Sequence, residues 1–387
     1  ARRSPTGACC GRSSAGVPAP NEGKWNGGRD VPETNPCAER LESLMRLAAR
    51  RRLDAVVVFG EADIRSLTGV VCDNGCLLLD VAGGRRVVFH TDFRYVPMVH
   101  RVAPWLCVRE TRRGIGFMDL LRRDGIRPKR LGYEGAISAS RYFALKKRFP
   151  KAVLVDVNDD LLSMRAVKSV DEIARIAAAA ALNDEIWSLA RKEIKPGMTE
   201  KAIQRVIQSL MIALGDGEAF ETIVCAGANA AECHHVPDDT VWRKGEPLLV
   251  DMGVKLDGVC SDMTRNVKAA HDAEYAKVYD IVLKANEAAI AAAKPGITAG
   301  ALDAVARKLI RKAGYGKAFW HSLGHGVGYE IHEEPSARQE SKTVLEPGMF
   351  VTIEPGIYLE GRLGVRIEDL VLITTTGCEV LSHSPKR

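Results

Sequence analysis

The sequence predicts two successive domains, an α/β unit followed by an α+β unit built from a duplicated half. Three observations predict this. The chain has 387 residues, more than one ordinary hydrophobic core organises. Between residues 37 and 160, short apolar runs alternate with stretches of helical spacing, the pattern of strands and helices taking turns in one sheet. Beyond residue 160 the chain repeats itself: Lys195-Pro-Gly-Met-Thr199 returns as Lys294-Pro-Gly-Ile-Thr298, at an offset of 99 residues.

Composition narrows the class. Hydrophobic residues make up 46% and charged residues 27%, as in globular domains. No apolar run approaches the roughly 20 residues of a membrane helix, and the N-terminus lacks the apolar core of a secretory signal. A cytoplasmic protein with no membrane partner is the expectation. The net charge of +6 is spread along the chain. Its densest basic run, Arg50, Arg51 and Arg52, ends a predicted helix, where cations complement the helix dipole. No aromatic-plus-basic motif points to nucleic acid. The ten cysteines contain no CxxC pair, and a chain this long needs no disulfide staples. They read as reduced thiols rather than a zinc site.

Residues 1–36 are rich in Gly, Pro, Ser, Asn and Arg without periodicity and read as a disordered tail. The first domain, 37–160, opens with helical spacing over Ala38 to Arg52. Strands follow at Asp54 to Phe59, Cys76 to Asp80 and Arg86 to His90, then helical stretches near Tyr95 to Val102 and Gly116 to Arg123. Strands at Leu131 to Glu134 and Val153 to Val157 flank a helix over Ser138 to Arg148. A mixed sheet is expected. This domain has no phosphate loop and no tight His/Asp/Glu cluster, and the solitary His90 and His100 read as structural. The second domain, 161–387, opens with a long helix capped by Ser169 and stopped near Glu193 by Lys195-Pro-Gly.

The repeat continues at its constant offset. Ala202 matches Ala301, Val206 matches Val305, Leu210 matches Leu309, and Ala219-Phe220 matches Ala318-Phe319. Each copy is a turn, an amphipathic helix and a glycine-rich exit. Downstream, Glu246-Pro-Leu-Leu-Val-Asp251 resembles Glu346-Pro-Gly-Met-Phe-Val-Thr-Ile-Glu354, and Gly258-Val-Cys-Ser-Asp262 resembles Gly364-Val-Arg-Ile-Glu368. A pseudo-twofold packing of the halves brings four carboxylates together. Asp251 and Glu354 end apolar runs, so they sit at the inner ends of buried strands. Buried like charges protonate or unfold a site unless cations neutralise them, and two divalent ions do so. Oxygen ligands with few nitrogens favour Mn²⁺, Mg²⁺, Fe²⁺ or Co²⁺. Three imidazoles lie between His321 and His332 among glycines, with His325 between them, and a further pair is His234-His235. Singly each histidine reads as structural; with four acids they form a site.

These stretches resemble a known family. Val250-Asp-Met-Gly253, Ser261-Asp-Met-Thr-Arg265, Gly324-His-Gly-Val-Gly328, Ile353-Glu-Pro-Gly-Ile-Tyr358 and Val365-Arg-Ile-Glu-Asp369 are similar, in order and context, to the metal-ligand motifs of the M24 metallopeptidases. These are the pita-bread proteins that include methionine aminopeptidase, aminopeptidase P and prolidase. The resemblance spans roughly residues 160 to 385, and the preceding domain looks like the creatinase/prolidase N-terminal domain. Two departures are Cys233, where relatives often have proline, and Met252; neither removes a ligand. The implied architecture is an α/β creatinase/prolidase-like N-terminal domain followed by an α+β pita-bread catalytic domain with internal pseudo-twofold duplication.

By this resemblance Asp251, Asp262, His325, Glu354 and Glu368 hold two divalent ions, with manganese expected and Co²⁺, Fe²⁺ or Zn²⁺ also accepted. The implied reaction is metal-dependent hydrolysis of the Xaa-Pro bond at peptide N-termini by an activated hydroxide. Glu354 moves the proton from water to the leaving nitrogen. His332 and His234 stabilise the oxyanion and line the proline pocket, His321 lies at the pocket, and Arg366 orients Asp262 and Glu368 from behind. His235 reads as a bystander, and Tyr358 as either a site or a core residue. The substrates are peptides with proline second, and a homodimer is expected. The N-terminal domain argues against methionine aminopeptidase, and the five ligands argue against creatinase and against non-catalytic binding modules. Prolidase, an Xaa-Pro dipeptidase, is the alternative. It needs a cation for the dipeptide carboxylate, for which Arg362 is the candidate. The native metal, the residue preferred before proline and the oligomeric state stay open at this stage.

Overall fold

The computed structural model describes residues 36–269 and 271–386. The segment expected as a disordered tail therefore lies outside the described residues, except for Pro36, where the first helix begins. The chain divides into two compact units between Asp156 and Val157.

The first unit runs α1 (Pro36–Arg50), β1 (Ala55–Val58), α2 (Glu61–Thr68), β2 (Cys76–Asp80), β3 (Arg86–Thr91), α3 (Val96–Val102), β4 (Cys107–Glu110), α4 (Phe117–Arg123), β5 (Arg130–Tyr133), α5 (Ala139–Arg148) and β6 (Val153–Asp156). The strands form one mixed sheet in the order β4-β3-β2-β1-β5-β6. β2 runs antiparallel to both neighbours, and the outer pairs are parallel. Every residue of β1 and β2 is buried, so these central strands are apolar on both faces. Among the elements that the sequence reading did not assign, three are instructive. α2 is eight residues long and its N-cap, Gly60, has no side chain to cap it. β4 is a half-exposed edge strand without an apolar run. The third opens the second unit.

That element is α6 (Asn158–Ala166), which buries Leu161, Arg165 and Ala166. α7 (Val170–Glu193) and α8 (Glu200–Leu214) follow. Next come β7 (Gly217–Glu218), β8 (Ile223–Ala226), β9 (Leu248–Met252), β10 (Val254–Leu256), β11 (Val259–Cys260) and β12 (Met263–Val267). The second half begins with α9 (Ala273–Ala292) and α10 (Ala299–Lys312), then β13 (Gly324–Gly326), β14 (Glu333–Ala337), β15 (Phe350–Ile353), β16 (Gly356–Leu359), β17 (Leu363–Arg366), β18 (Asp369–Ile373) and β19 (Cys378–Val380).

The duplication is visible at the level of single hydrogen bonds. Thr199 caps α8 by accepting from the amide of Ala202, and Thr298 caps α10 by accepting from Ala301. Each cap is worth about 1 kcal/mol. The turn before each cap needs a left-handed residue, supplied by Gly197 (φ 102°) and Gly296 (φ 87°). Ser169 caps α7 in a reciprocal box with Glu172. Each half then buries its helices on its own strands. Ile203, Ile207 and Met211 of α8 pack on Leu248 and Val250 of β9. Leu302, Ala306 and Ile310 of α10 share a core with Val351 and Ile353 of β15. The paired strands β9–β12 and β15–β18 are thus equivalent, and their ends face the centre described next.

Candidate metal centre

Four carboxylates arrive from these strand ends. Asp251 lies within β9, opposite Thr264 of β12 and Ile223 of β8. Asp262 directly precedes β12, Glu354 directly follows β15, and Glu368 directly precedes β18. His325 is the middle residue of β13. Its flanking glycines are obligatory: a Cβ at Gly324 meets the Thr352 carbonyl oxygen at 1.9 Å, and one at Gly326 meets the Glu334 carbonyl oxygen at 2.2 Å. Only glycine lets β13 approach β15 and β14 this closely, which delivers the imidazole to the acids.

His325 is set up as a nitrogen donor. Its Nδ1 lies 3.0 Å from the Gly326 carbonyl, an acceptor only, so Nδ1 carries the proton and Nε2 keeps its lone pair. Nε2 is 3.5 Å from Glu354 Oε1 and 3.6 Å from Asp262 Oδ2. Burial drives the His325 pKa down to about 4, so the ring is neutral. Ligand atoms of Asp262, His325 and Glu368 lie within 4.8 Å of one another. The acids are strained in the opposite sense. Burial raises Asp262, with Glu368 and Asp251 adding repulsion. Burial also raises Glu368, with Glu354 and Asp251 adding, and pushes Glu354 up to about 8. Oδ1 of Asp251 and Oδ1 of Asp262 are buried with no partner among the described residues. Buried carboxylates with orphaned oxygens facing one neutral imidazole nitrogen fit divalent cations.

Two threonines and an arginine frame the acids. Thr264 Oγ1 donates to Glu368 Oε2 at 2.8 Å, and Thr352 Oγ1 donates to Glu354 Oε1 at 3.2 Å. Arg366, 3% exposed, donates to Asp251 Oδ2 at 2.7 Å, Thr264 Oγ1 at 3.1 Å, the Tyr358 hydroxyl at 3.0 Å and the Cys233 carbonyl at 3.3 Å. Its direct carboxylate partner is therefore Asp251, and it reaches Glu368 only through Thr264, where Asp262 and Glu368 were the expected partners. The reason is register: β17 pairs with β16 and aims the guanidinium across to the first half.

A cavity of about 650 Å³ opens on these groups, lined also by His234, His321, His332, Tyr358 and the apolar Phe220, Ile223 and Ile331. The His332 ring lies edge-on to His325 at 4.4 Å, and burial, with His234 nearby, lowers its pKa. His321 presents a ring wall only. Its Nδ1 bonds the Ser322 carbonyl at 2.7 Å and its Nε2 the Tyr358 hydroxyl at 2.9 Å, while burial lowers its pKa to about 4. His235 points away from the cavity into a buried pair with Glu200 at 2.7 Å. Glu333, beside His332, is neutralised by Lys168 at 3.0 Å and Arg165 at 3.6 Å. Thr264, Thr352, Lys168 and Arg165 were not singled out in the sequence, because their roles exist only through partners distant in the chain.

Residues 174–375 match metallopeptidase family M24, and residues 40–167 match the creatinase/prolidase N-terminal domain. The chain belongs to metallopeptidase family M24. It is a metal-dependent hydrolase with a creatinase-type N-terminal domain and a pita-bread catalytic domain. It is 33% identical over 350 residues to an Xaa-Pro dipeptidase of Pyrococcus furiosus, covering 90% of this chain and 99% of the relative. The solved Xaa-Pro dipeptidase from Bacillus anthracis superposes with a TM-score of 0.86 at 32% identity, over 91% of this chain and 99% of that one. The X-Pro aminopeptidase from Thermotoga maritima superposes at 0.81 with 32% identity, over 90% and 99%. No helix among the described residues is long and apolar enough to cross a membrane.

Proposed function

We propose that this metallopeptidase hydrolyses the Xaa-Pro bond at peptide N-termini, with two manganese ions held by Asp251, Asp262, His325, Glu354 and Glu368. The observation that carries the reading is the convergence of those five donors, with orphaned carboxylate oxygens, at the floor of one cavity. The likeness to enzymes named for Xaa-Pro substrates supports the proline assignment. In this reading residues 37–160 form the N-terminal domain and 161–387 the catalytic domain. No disulfide joins any two of the eight described cysteines, which supports a reducing, cytoplasmic setting. The family resemblance supports a homodimer, testable by sedimentation.

When bound, the ions supply Lewis acidity and an activated water. The chain's own residues do the rest. Glu354, oriented by Thr352, accepts a proton from the attacking water and delivers it to the leaving nitrogen. A prolyl amide carries no N–H, so that delivery is indispensable and the ring must be held by shape. His332 and His234 donate to the oxyanion and flank the proline ring, with the neutral His321 as its wall. Arg366 keeps Asp251 aimed.

Substrate length follows from charge. A dipeptide brings its carboxylate beside the proline ring. Arg362, the candidate for it, is exposed, pairs with Glu274 and does not line the cavity. The one guanidinium among the described lining residues is Arg366, already engaged by Asp251. This supports peptides that continue past proline. The names of several relatives favour the dipeptidase reading instead. Hydrolysis of Xaa-Pro-Yaa tripeptides beside Xaa-Pro dipeptides, with Mn²⁺ and after chelation, separates them. Metal-dependent release of Xaa from tripeptides supports the aminopeptidase, cleavage of dipeptides alone supports the dipeptidase, and cleavage of neither with metal bound overturns the proline assignment.

A further inference from the structure

Arg265 lies three residues beyond Asp262 on β12 and is 2% exposed. A guanidinium this deeply buried needs a counter-charge and an acceptor for each donor. Nη2 donates to Asp369 Oδ1 at 2.9 Å and reaches the Ser382 carbonyl at 3.4 Å. Nη1 donates to the carbonyls of Thr264, at 3.0 Å, and Glu368. Nε donates to the Ser384 carbonyl at 2.9 Å. One side chain thus joins the backbone of a metal-ligand residue, Glu368, to the C-terminal segment 382–386.

That segment is anchored on both halves of the duplicated fold. Asp184 of α7 accepts from the amides of His383 and Ser384, each at 2.7 Å. From α9, the Tyr279 hydroxyl donates to the Lys386 carbonyl, and Asn286 accepts from Lys386 Nζ at 2.9 Å. Lys386 Nζ also pairs with Asp369 through the oxygen that Arg265 leaves free. The fully buried Asp369 therefore sits between two cations, one from β12 and one from the segment.

We propose that residues 382–386 are a latch on the metal centre, acting through Arg265 and Asp369 to position Glu368. The proposal rests on the reading that the five donors bind metal. Arg265 and Asp369 are positioning residues: they touch neither substrate nor ion. The argument is one of satisfied donors. Without the segment, Nε of Arg265 loses its acceptor and Asp369 loses a cation. The pair must then relax, and the Glu368 carbonyl moves with it. Among the described residues the Glu368 carboxylate has one side-chain donor, Thr264, so its aim follows its backbone. Losing such support behind a ligand weakens metal binding by roughly 10–100-fold.

The test is calorimetric titration of metal-free protein with Mn²⁺, well below the melting temperature. Wild type is compared with Arg265→Lys, Lys386→Met and Lys386→Arg, and with a chain ending at Leu381. Leu121→Ala, in the core of the first unit, controls for stability lost elsewhere. The expected result is a roughly 10–100-fold weaker Mn²⁺ Kd for Arg265→Lys, Lys386→Met and the shortened chain. Lys386→Arg restores wild-type affinity, and Leu121→Ala melts lower with its Kd unchanged. If the shortened chain does not fold, the point variants decide. Folded Arg265→Lys and Lys386→Met proteins that bind Mn²⁺ with wild-type affinity overturn the latch, even if they melt lower. A wild-type protein that takes up no divalent ion overturns the metal reading itself, a separate outcome.

Discussion

The loop that delivers two of the site histidines is held by one buried ion pair, and breaking it makes a quantitative test. Arg307 and Asp303 lie one turn apart on α10, with side chains 8% and 0% exposed. Nε and Nη2 of Arg307 donate to the two carboxylate oxygens of Asp303, both at 2.7 Å. The pair also holds the chain beyond the helix. Arg307 donates to the carbonyls of Phe319 at 2.7 Å and His321 at 2.8 Å, while Asp303 accepts from the Leu323 amide at 3.1 Å. Asp303→Leu leaves a buried cation without its anion, which costs about 3–5 kcal/mol. In a unit of this size each kcal/mol lowers the melting temperature by roughly 2–4 °C, so a fall of about 6–20 °C is expected. The double variant Asp303→Leu/Arg307→Leu removes the stranded charge and leaves only neutral orphans at about 1–3 kcal/mol each. It should therefore lose less than the two single variants summed, by about 0.5–3 kcal/mol. Scanning calorimetry of the metal-loaded protein reads both numbers. A single variant melting within about 2 °C of wild type, or strict additivity in the double variant, would refute the clamp.

Removing divalent ions leaves the central carboxylates without counter-charge, so chelated protein should melt lower. Mn²⁺ at about 100 times its Kd should return about 2.7 kcal/mol, seen as a rise of roughly 5–11 °C; an unchanged melting curve would count against the ion site. Gly324→Ala forces a Cβ to 1.9 Å from the Thr352 carbonyl oxygen. It should cost about 1–3 kcal/mol or more and reduce Mn²⁺ occupancy by displacing His325, whereas full occupancy measured by metal analysis would show that β13 can yield. His235 gives a pH signature. Burial works to lower its pKa, but Glu200 and Glu232 outweigh that and raise it. The stability it contributes is thus fully present below its unfolded value of about 6.5 and fades as pH rises through the higher folded value. The melting difference between wild type and His235→Gln should be largest near pH 6 and shrink towards pH 9, and a constant difference would exclude a charged His235.

The proposed ligands stand out in the sequence because chemistry restricts them. A metal accepts only a few donor types, and Asp251 and Glu354 follow the apolar runs of buried strands. The offset of 99 residues was legible because both halves solve one packing problem with the same cap and the same left-handed glycine. The partners of the residues behind the site were hidden for a related reason. Arg366 reaches an aspartate 115 positions away, and Arg265 reaches carbonyls 103 and 119 positions away. Those distances are set by how the halves pack, which no local pattern encodes. α6 was hidden differently: its three charged residues Asp159, Asp160 and Arg165 blur any apolar stripe, and Arg165 is buried against Glu333 rather than exposed. A buried charge looks, in sequence, like a solvated one. Arg265 and Arg366 show why that matters here. The duplicated fold brings acids from both halves to one point and must also bring cations: Arg366, expected behind Asp262 and Glu368, pairs with Asp251 instead, and Arg265, whose partner no local pattern marked, pairs with Asp369.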